Sequence, residues 1–149
     1  AVINGVIGDH LAATGNPLAL EARLRLAGRP LALERDALSA AYPGASPRLL
    51  VMVHGLCMND LRWTRDGHDH GQALARDLGF TPVYLHYNTG RHVSQNGREF
   101  AALLSELVAQ WPVPVRELAP GPSRPQMHKT STRPPADRPT RRCCSRSIP

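Results

Sequence analysis

The feature that most constrains the fold is an alternation of short apolar runs with helical patterns between residues 48 and 118. Leu49–Val53 and Pro82–Tyr87 are apolar runs without clean alternation, which is typical of parallel strands covered on both faces. Val113–Leu118 is the third predicted strand. Strands that alternate with helices favour a right-handed parallel α/β arrangement. We therefore expect an α/β fold whose sheet is parallel from about residue 48.

Two helices are predicted between these strands. The first spans His70–Leu78, with Asp69 as a candidate cap and Gly79 in the position that commonly ends helices. The second begins at a capping box formed by Asn96 and Glu99, and a proline ends it. Its apolar stripe comprises Phe100, Leu103, Leu104, Leu107, Val108 and Trp111.

The first 47 residues predict a helix followed by antiparallel strands, so that the sheet is mixed at its start. Residues 1–13 have helical spacing, and residues 18–26 alternate between apolar and charged side chains. Leu31–Leu33 is the expected return strand, and Glu34–Ala41 is the expected short helix. The apolar face of the first helix comprises Val2, Ile3, Val6, Ile7, His10 and Leu11.

Charge divides the chain near Ala119. Residues 1–119 contain eleven Arg, no Lys and eleven acids, whereas residues 120–149 contain seven Lys plus Arg and one acid. The net charge of +6 therefore lies in the last thirty residues, which also hold seven of the fourteen Pro. Because this stretch has too few apolar side chains to offset the entropy of ordering, we expect 1–119 to be the folded portion and 120–149 a disordered basic tail.

Composition argues against two classes of partner. No run approaches the roughly 18 apolar residues of a membrane span, so we expect no membrane span. The tail could contact phosphates, but no aromatic residue follows Trp111 to stack on bases, so we expect no nucleic-acid partner. Cys57 is the one cysteine of residues 1–119, and no secretory signal is recognisable, so we expect a cytoplasmic location. The first residue is Ala1 rather than Met, as in a processed or incomplete chain.

The run "LLVMVHGLCMND", residues 49–60, carries the clearest chemical signal. A buried strand ends there in His54-Gly55, and Gly55 permits close approach of another group to the backbone. Backbone N–H groups of a tight turn at the carboxyl end of a parallel strand can converge on a developing oxyanion. The alternative interpretation is that His54-Gly55 simply ends a buried strand, with the imidazole hydrogen-bonded locally.

Together with "WTRDGHDHGQALARDLGF" and "TPVYLHYNTGRHVSQNGREFAALLSELV", this run resembles the amino-terminal third of the α/β-hydrolase fold. The similarity is to bacterial lipase-like and esterase-like serine hydrolases, and it covers roughly residues 48–118. It implies that the backbone N–H of Leu56 is one oxyanion-hole donor and that His54 and Gly55 shape the loop. It also implies a small-molecule ester or lipid substrate and no cofactor, while the oligomeric state stays unknown.

The resemblance also requires a nucleophile elbow, G-x-S-x-G, after the strand that ends at Leu118. The chain instead reads "APGPSRPQ", in which Ser123 follows a Gly but prolines crowd the turn. Only His128 and Asp137 remain as later triad candidates. By resemblance, we therefore expect a carboxylic-ester hydrolase that has no nucleophile and is inactive. We attribute the loss of the nucleophile to a reading-frame change or truncation near Ala119. The alternative hypothesis is a non-catalytic binding or scaffold protein on the same fold.

Three further features leave alternatives open. The segment "DGHDHG" is a candidate metal site or a polar loop that leads into a helix, and we favour the loop and expect no metal. The loop Tyr87–Gly97 either lines a pocket or only connects two elements, and Trp63 either covers the cleft or lies in the core. The candidate metal ligands are Asp66, His68, Asp69, His70, His86 and His92.

Overall fold

The computed structural model describes residues 2–65 and 67–121, and within these ranges helices alternate with strands. The helices are α1 (Val2–Ala13), α2 (Arg35–Ala41), α3 (His70–Leu78) and α4 (Val93–Gln110), with a 3-10 helix at Asp60–Trp63. The strands are β1 (Arg23–Leu26), β2 (Arg29–Pro30), β3 (Arg48–Val53), β4 (Thr64–Arg65), β5 (His68–Asp69), β6 (Thr81–His86) and β7 (Glu117–Pro120).

Five of these strands form one mixed sheet in the order β2-β1-β6-β3-β7. Strand β3 is central, and it pairs in parallel with β6 on one side and with β7 on the other. Strand β1 pairs antiparallel with both β2 and β6, while β4 and β5 form a separate two-stranded ribbon. The prediction of an α/β sheet that is mixed at its start and parallel from about residue 48 is therefore confirmed.

The apolar runs of β3 and β6 are buried because helices cover both faces of the sheet. On one face, Leu107 of α4 and Trp111, which directly follows this helix, pack in a cluster with Leu24, Leu38, Leu49, Val83 and Leu85. On the other face, Leu74 of α3 packs against Leu50, Met52, Trp63 and Tyr84. Side chains that point alternately to two covered faces explain why these strands show no polar alternation.

The outer strands differ from the sequence prediction in their bounds. Strand β1 begins at Arg23 rather than residue 18, because the Asn4 side chain donates to Leu18 O at 2.8 Å and accepts from Leu20 N at 2.9 Å. These bonds tie residues 18–20 to α1 instead of the sheet. The return strand is Arg29–Pro30 rather than Leu31–Leu33.

The last strand is also shifted, from the expected Val113–Leu118 to Glu117–Pro120. Pro112 and Pro114 have no N–H to donate to a ladder. The chain enters the sheet only after Arg116 N and Glu117 N donate to Pro47 O, at 2.8 and 3.2 Å. The intervening valines still pack against the core, which explains the apolar pattern.

Helix α3 has the predicted bounds and caps, whereas the predicted start of α4 is wrong. Asp69 Oδ1 accepts from Gln72 N at 2.8 Å, and Gly79 ends α3 with φ 70°. Helix α4 begins at Val93, and the His92 ring accepts from Ser94 N at 3.3 Å. Asn96 instead donates to the Asn88 carbonyl at 2.9 Å, so it serves the preceding loop and not the helix start.

Helix α1 forms as predicted, but Leu11 is the one member of the predicted apolar face that is buried. Val2, Ile3, Val6 and Ile7 are exposed, and the buried residues are Asn4, Gly8 and Leu11. Glycines on this side let the loop after β6 approach the helix, and the Asn88 amide donates to Gly8 O at 3.0 Å. The helix is kinked at Ile7, next to the carbonyl that accepts this hydrogen bond from the Asn88 side chain.

Candidate functional site

The turn after β3 is a β-turn closed by Met58 N, which donates to Gly55 O at 3.2 Å. Leu56 and Cys57 are its central residues, and Cys57 has φ 58° whereas the φ of Leu56 is not positive. A positive φ at only the second central position is the pattern of a type II turn. The Leu56 side chain is 68% exposed, so the turn lies at the protein surface.

The backbone N–H of Leu56 has no hydrogen-bond acceptor among residues 2–65 and 67–121. The next amide along the chain, Cys57 N, donates to Thr89 Oγ1 at 3.1 Å and is thereby occupied. A Cβ atom on Gly5 would overlap the Cys57 thiol, so α1 packs directly against the turn. The loop after β6 and helix α1 thus hold the turn in place.

Strand β7 ends at the same edge of the sheet as this turn, because it runs parallel to β3. Leu50 pairs with Ala119 and Val51 with Pro120, and Gly121 N donates to Val51 O at 2.7 Å. Strand β3 leads by α3 to β6 on one side, and β6 leads by α4 to β7 on the other. Ligands of open α/β sheets bind where connections diverge in this way, outside the carboxyl ends of the strands.

A buried ionic cluster, which we call the Asp60 cluster, lies at the same end of the sheet. Asp60 opens the 3-10 helix, and its Oδ1 accepts from Arg25 and from His86 Nδ1, both at 2.9 Å. The side chain of Asp60 is only 2% exposed, and that of Arg25 is 22% exposed. Sequence reasoning missed Arg25 and Asp60, although an acid directly after a buried strand and its turn is a signal that could have identified Asp60.

The pKa of Asp60 reflects opposing effects. Burial raises the pKa of the carboxyl, but the hydrogen bond from His86 and the positive charge of Arg25 outweigh burial and hold the pKa below its ordinary value. Asp60 is therefore a carboxylate at neutral pH. As an ionised acceptor it requires the hydrogen on His86 Nδ1, so a neutral His86 ring would carry its lone pair on Nε2.

His54 is buried beside this cluster, with 2% of its surface exposed. Its Nδ1 lies 3.1 Å from Gly55 O and must therefore carry the hydrogen. The Tyr87 ring stacks on the imidazole at 4.6 Å between centroids, and the Tyr87 hydroxyl donates to His54 O at 2.9 Å. Burial lowers the pKa of His54, so the ring is neutral at physiological pH.

A surface cavity of about 390 Å³ adjoins His86. Arg23 and Arg25 contribute positive charge to its wall, and Glu21 contributes a carboxylate paired with Arg23. The remaining lining residues are Pro17, Ala19, Leu20 and Pro30. His86 is thus held by Asp60 on one side and reaches a solvent-filled space on the other.

The candidate metal ligands do not converge into a site of three. Within residues 2–65 and 67–121, no group of three or more His, Cys, Asp or Glu side chains is arranged to hold a metal ion. The rings of His68 and His70 lie 5.0 Å apart, but Asp69 caps α3 and accepts from the Tyr84 hydroxyl. Asp66 lies outside the described residues.

Trp63 and the loop Tyr87–Gly97 both have structural roles. Trp63 is 3% exposed and packs with Leu50, Met52 and Tyr84, so it belongs to the core. The first part of the loop packs against His54, α1 and the turn after β3, and the remainder starts α4. This loop therefore supports the turn rather than only joining two elements.

Ser123, His128 and Asp137 lie outside the described residues, as does the predicted tail from residue 122 onwards. In the part of the chain that the structure describes, no helix has both the length and the apolar character needed to cross a membrane. Comparison with protein-family models, with curated proteins and with solved structures found no match to this chain.

Proposed function

We propose that this chain is the amino-terminal portion of an α/β-hydrolase-like carboxylic-ester hydrolase, and that Leu56 N–H is one of its oxyanion donors. The observation that carries the proposal is an unbonded backbone N–H, among the described residues, in an exposed turn at the carboxyl end of the central parallel strand. Such a donor stabilises the negative charge that develops on an ester carbonyl oxygen during attack. His54 and Gly55 shape the turn, as the sequence resemblance implies.

The position of β7 supports this proposal. The family places its nucleophile on the turn after the strand that follows the second helix, and in the proposed relationship β7 would be that strand. Because β7 runs parallel to β3, the carboxyl end of β7 and the turn at Leu56 lie at the same edge of the sheet. The sequence there is Gly121-Pro122-Ser123-Arg124-Pro125, which lacks the second glycine of an elbow. The proposed function is therefore an oxyanion half-site without an efficient nucleophile.

Binding of a transition-state mimic tests the oxyanion donor without requiring turnover. An aryl methylphosphonate monoester presents the charge and shape of the tetrahedral intermediate. We expect its titration to shift the ¹⁵N–¹H resonance of Leu56 in a saturable manner, because the anion would accept from that amide. An unshifted Leu56 resonance at saturating ligand would refute the assignment.

A pair of variants at this position separates the amide from the side chain. Proline is favoured at the first central position of a type II turn but has no N–H, so Leu56→Pro should fold and lose phosphonate binding. Leu56→Ala keeps the N–H and should bind like the wild type. Equal binding by the two variants would exclude the amide as the donor.

The missing nucleophile is tested separately with a fluorophosphonate probe and a short-chain aryl ester. We expect neither stoichiometric labelling nor burst kinetics, because the sequence after β7 lacks the elbow that activates a serine. Stoichiometric labelling with turnover would show that the chain has a working nucleophile. The DNA after codon 118, read in its other two frames, should contain a Gly-x-Ser-x-Gly if a frame change removed the elbow.

A further inference from the structure

We propose that His54 and His86 form a two-histidine site for one divalent transition-metal ion such as Zn²⁺. The two residues lie side by side on neighbouring parallel strands, since Val53 pairs with Leu85 and each histidine follows directly. Their ring centroids lie 6.0 Å apart with an interplanar angle of 54°. With metal–nitrogen bonds of about 2.1 Å, this centroid spacing is compatible with one ion between the two rings.

The hydrogen bonds of the two rings have the arrangement that metal-binding histidines use. A ligating imidazole almost always donates its other ring N–H to a carboxylate or a backbone carbonyl, which orients the ring and increases its basicity. His86 Nδ1 donates to the Asp60 carboxylate at 2.9 Å, and His54 Nδ1 donates to Gly55 O at 3.1 Å. In their neutral forms, both rings therefore carry the lone pair on Nε2.

His54 Nε2 is the atom on which the proposal depends most. It is buried and has no hydrogen-bond partner among the described residues. A buried acceptor without a partner costs about 1–3 kcal/mol, and native proteins commonly satisfy such an atom with a bound ion or an ordered water. A ligated ion would satisfy Nε2 without moving the ring, which Tyr87 and Gly55 already hold.

The surroundings suit a borderline cation with open coordination positions. Imidazole nitrogen is a preferred donor for Zn²⁺, Cu²⁺ and Ni²⁺. The surface cavity is lined by His86 and not by His54, so solvent and ions would reach the site from the His86 side. Asp60 supplies negative charge next to the site, although Arg25 offsets part of it. This inference does not depend on the proposed hydrolase relationship.

Zinc titration of the full chain tests the site. Cys143 and Cys144 are adjacent thiols in the sequence, so the measurement uses a Cys143→Ser/Cys144→Ser background. Competition with a chromophoric chelator should give one equivalent of bound Zn²⁺. His86→Gln should weaken binding at least tenfold, whereas the matched double variant His68→Gln/His70→Gln should bind Zn²⁺ like the background protein, because that pair lies outside the proposed site.

Long-range ¹H–¹⁵N spectra of the imidazoles identify the ligands without a substitution, which matters because His54→Gln removes a buried ring. Before Zn²⁺ is added, His54 and His86 should both show the Nδ1–H tautomer. Addition of Zn²⁺ should shift the Nε2 resonances of these two rings together. Any of three results would overturn the proposal: shifts confined to His68 and His70, unchanged Nε2 resonances of His54 and His86, or undiminished Zn²⁺ affinity in His86→Gln. Unchanged resonances would also indicate that His54 Nε2 binds water rather than a metal ion.

Discussion

Replacing Asp60 by Asn should destabilise the protein by about 3 kcal/mol, because it leaves Arg25 without its counter-ion. Removing one partner of a buried ion pair costs roughly 3–5 kcal/mol. The lower end applies here because the Arg25 side chain keeps 22% of its surface in solvent while that of Asp60 keeps 2%. Asparagine has nearly the same shape as aspartate, so the loss reports charge rather than packing.

The measurement is urea unfolding followed by far-UV circular dichroism. With a slope of about 2 kcal/mol per M urea for a domain of this size, a loss of 3 kcal/mol lowers the midpoint by about 1.5 M. Unfolding free energies of single domains are commonly 5–15 kcal/mol, so the variant loses a large fraction of its stability. The slope itself should not change, because the substitution leaves the buried surface unaltered.

The matched control is Glu117→Gln, which removes the acid of another Arg–carboxylate pair in the same sheet. Arg48 and Glu117 lie 2.7 Å apart, but their side chains are 42% and 46% exposed. Exposed pairs contribute about 0–1 kcal/mol, so the control should lose no more than that. If the two variants lose stability to the same extent, within about 0.5 kcal/mol, the reasoning from burial is wrong.

Three further outcomes are expected. Gly8→Ala should lower the free energy of unfolding by about 1–3 kcal/mol, because the new Cβ would lie 2.7 Å from Asn88 Cγ. Gly97→Ala, in α4, has open space and should raise it by about 0.5–1 kcal/mol. Equal effects in urea unfolding would contradict the packing described for α1. Leu107→Ala should lower the free energy of unfolding by about 2–5 kcal/mol, because Leu107 is fully buried. The neighbouring variant Val108→Ala should lower it by about 1 kcal/mol or less, because Val108 is 41% exposed. The reverse order would show that the other face of α4 lies in the core. Burial raises the pKa of Tyr42, Tyr84 and Tyr87, the three tyrosines of the chain, so phenolate absorbance at 295 nm and pH 10.5 should be lower in the folded protein than in urea. The stability that the neutral rings contribute is complete below the unfolded pKa near 10 and falls as the pH rises above it. Equal absorbance in the two states would show that the rings are exposed.

Much of the fold could be predicted because local patterns carry it. Helix α3 has its predicted bounds and caps because the cap, Asp69, and the terminating Gly79 act within one turn of the helix. The start of α4 could not be predicted in the same way. Asn96 and Glu99 have capping-box spacing, but Asn96 bonds to the Asn88 carbonyl and Glu99 pairs with Arg91. A tertiary contact thus used the residues that a local rule assigned to the helix end.

The sequence by itself determined the order of the elements, the parallel character of the central strands and the position of the turn at Leu56. Periodicity reports how a segment is buried, so these properties need no knowledge of distant residues. Only the tertiary structure decided which face of α1 is buried and which side chains meet at the carboxyl end of the sheet. Arg25, Asp60 and His86 come from β1, the 3-10 helix and β6, and no local pattern relates residues that far apart along the chain. Their contact depends on β1 joining the sheet beside β6, which is a choice among long-range pairings.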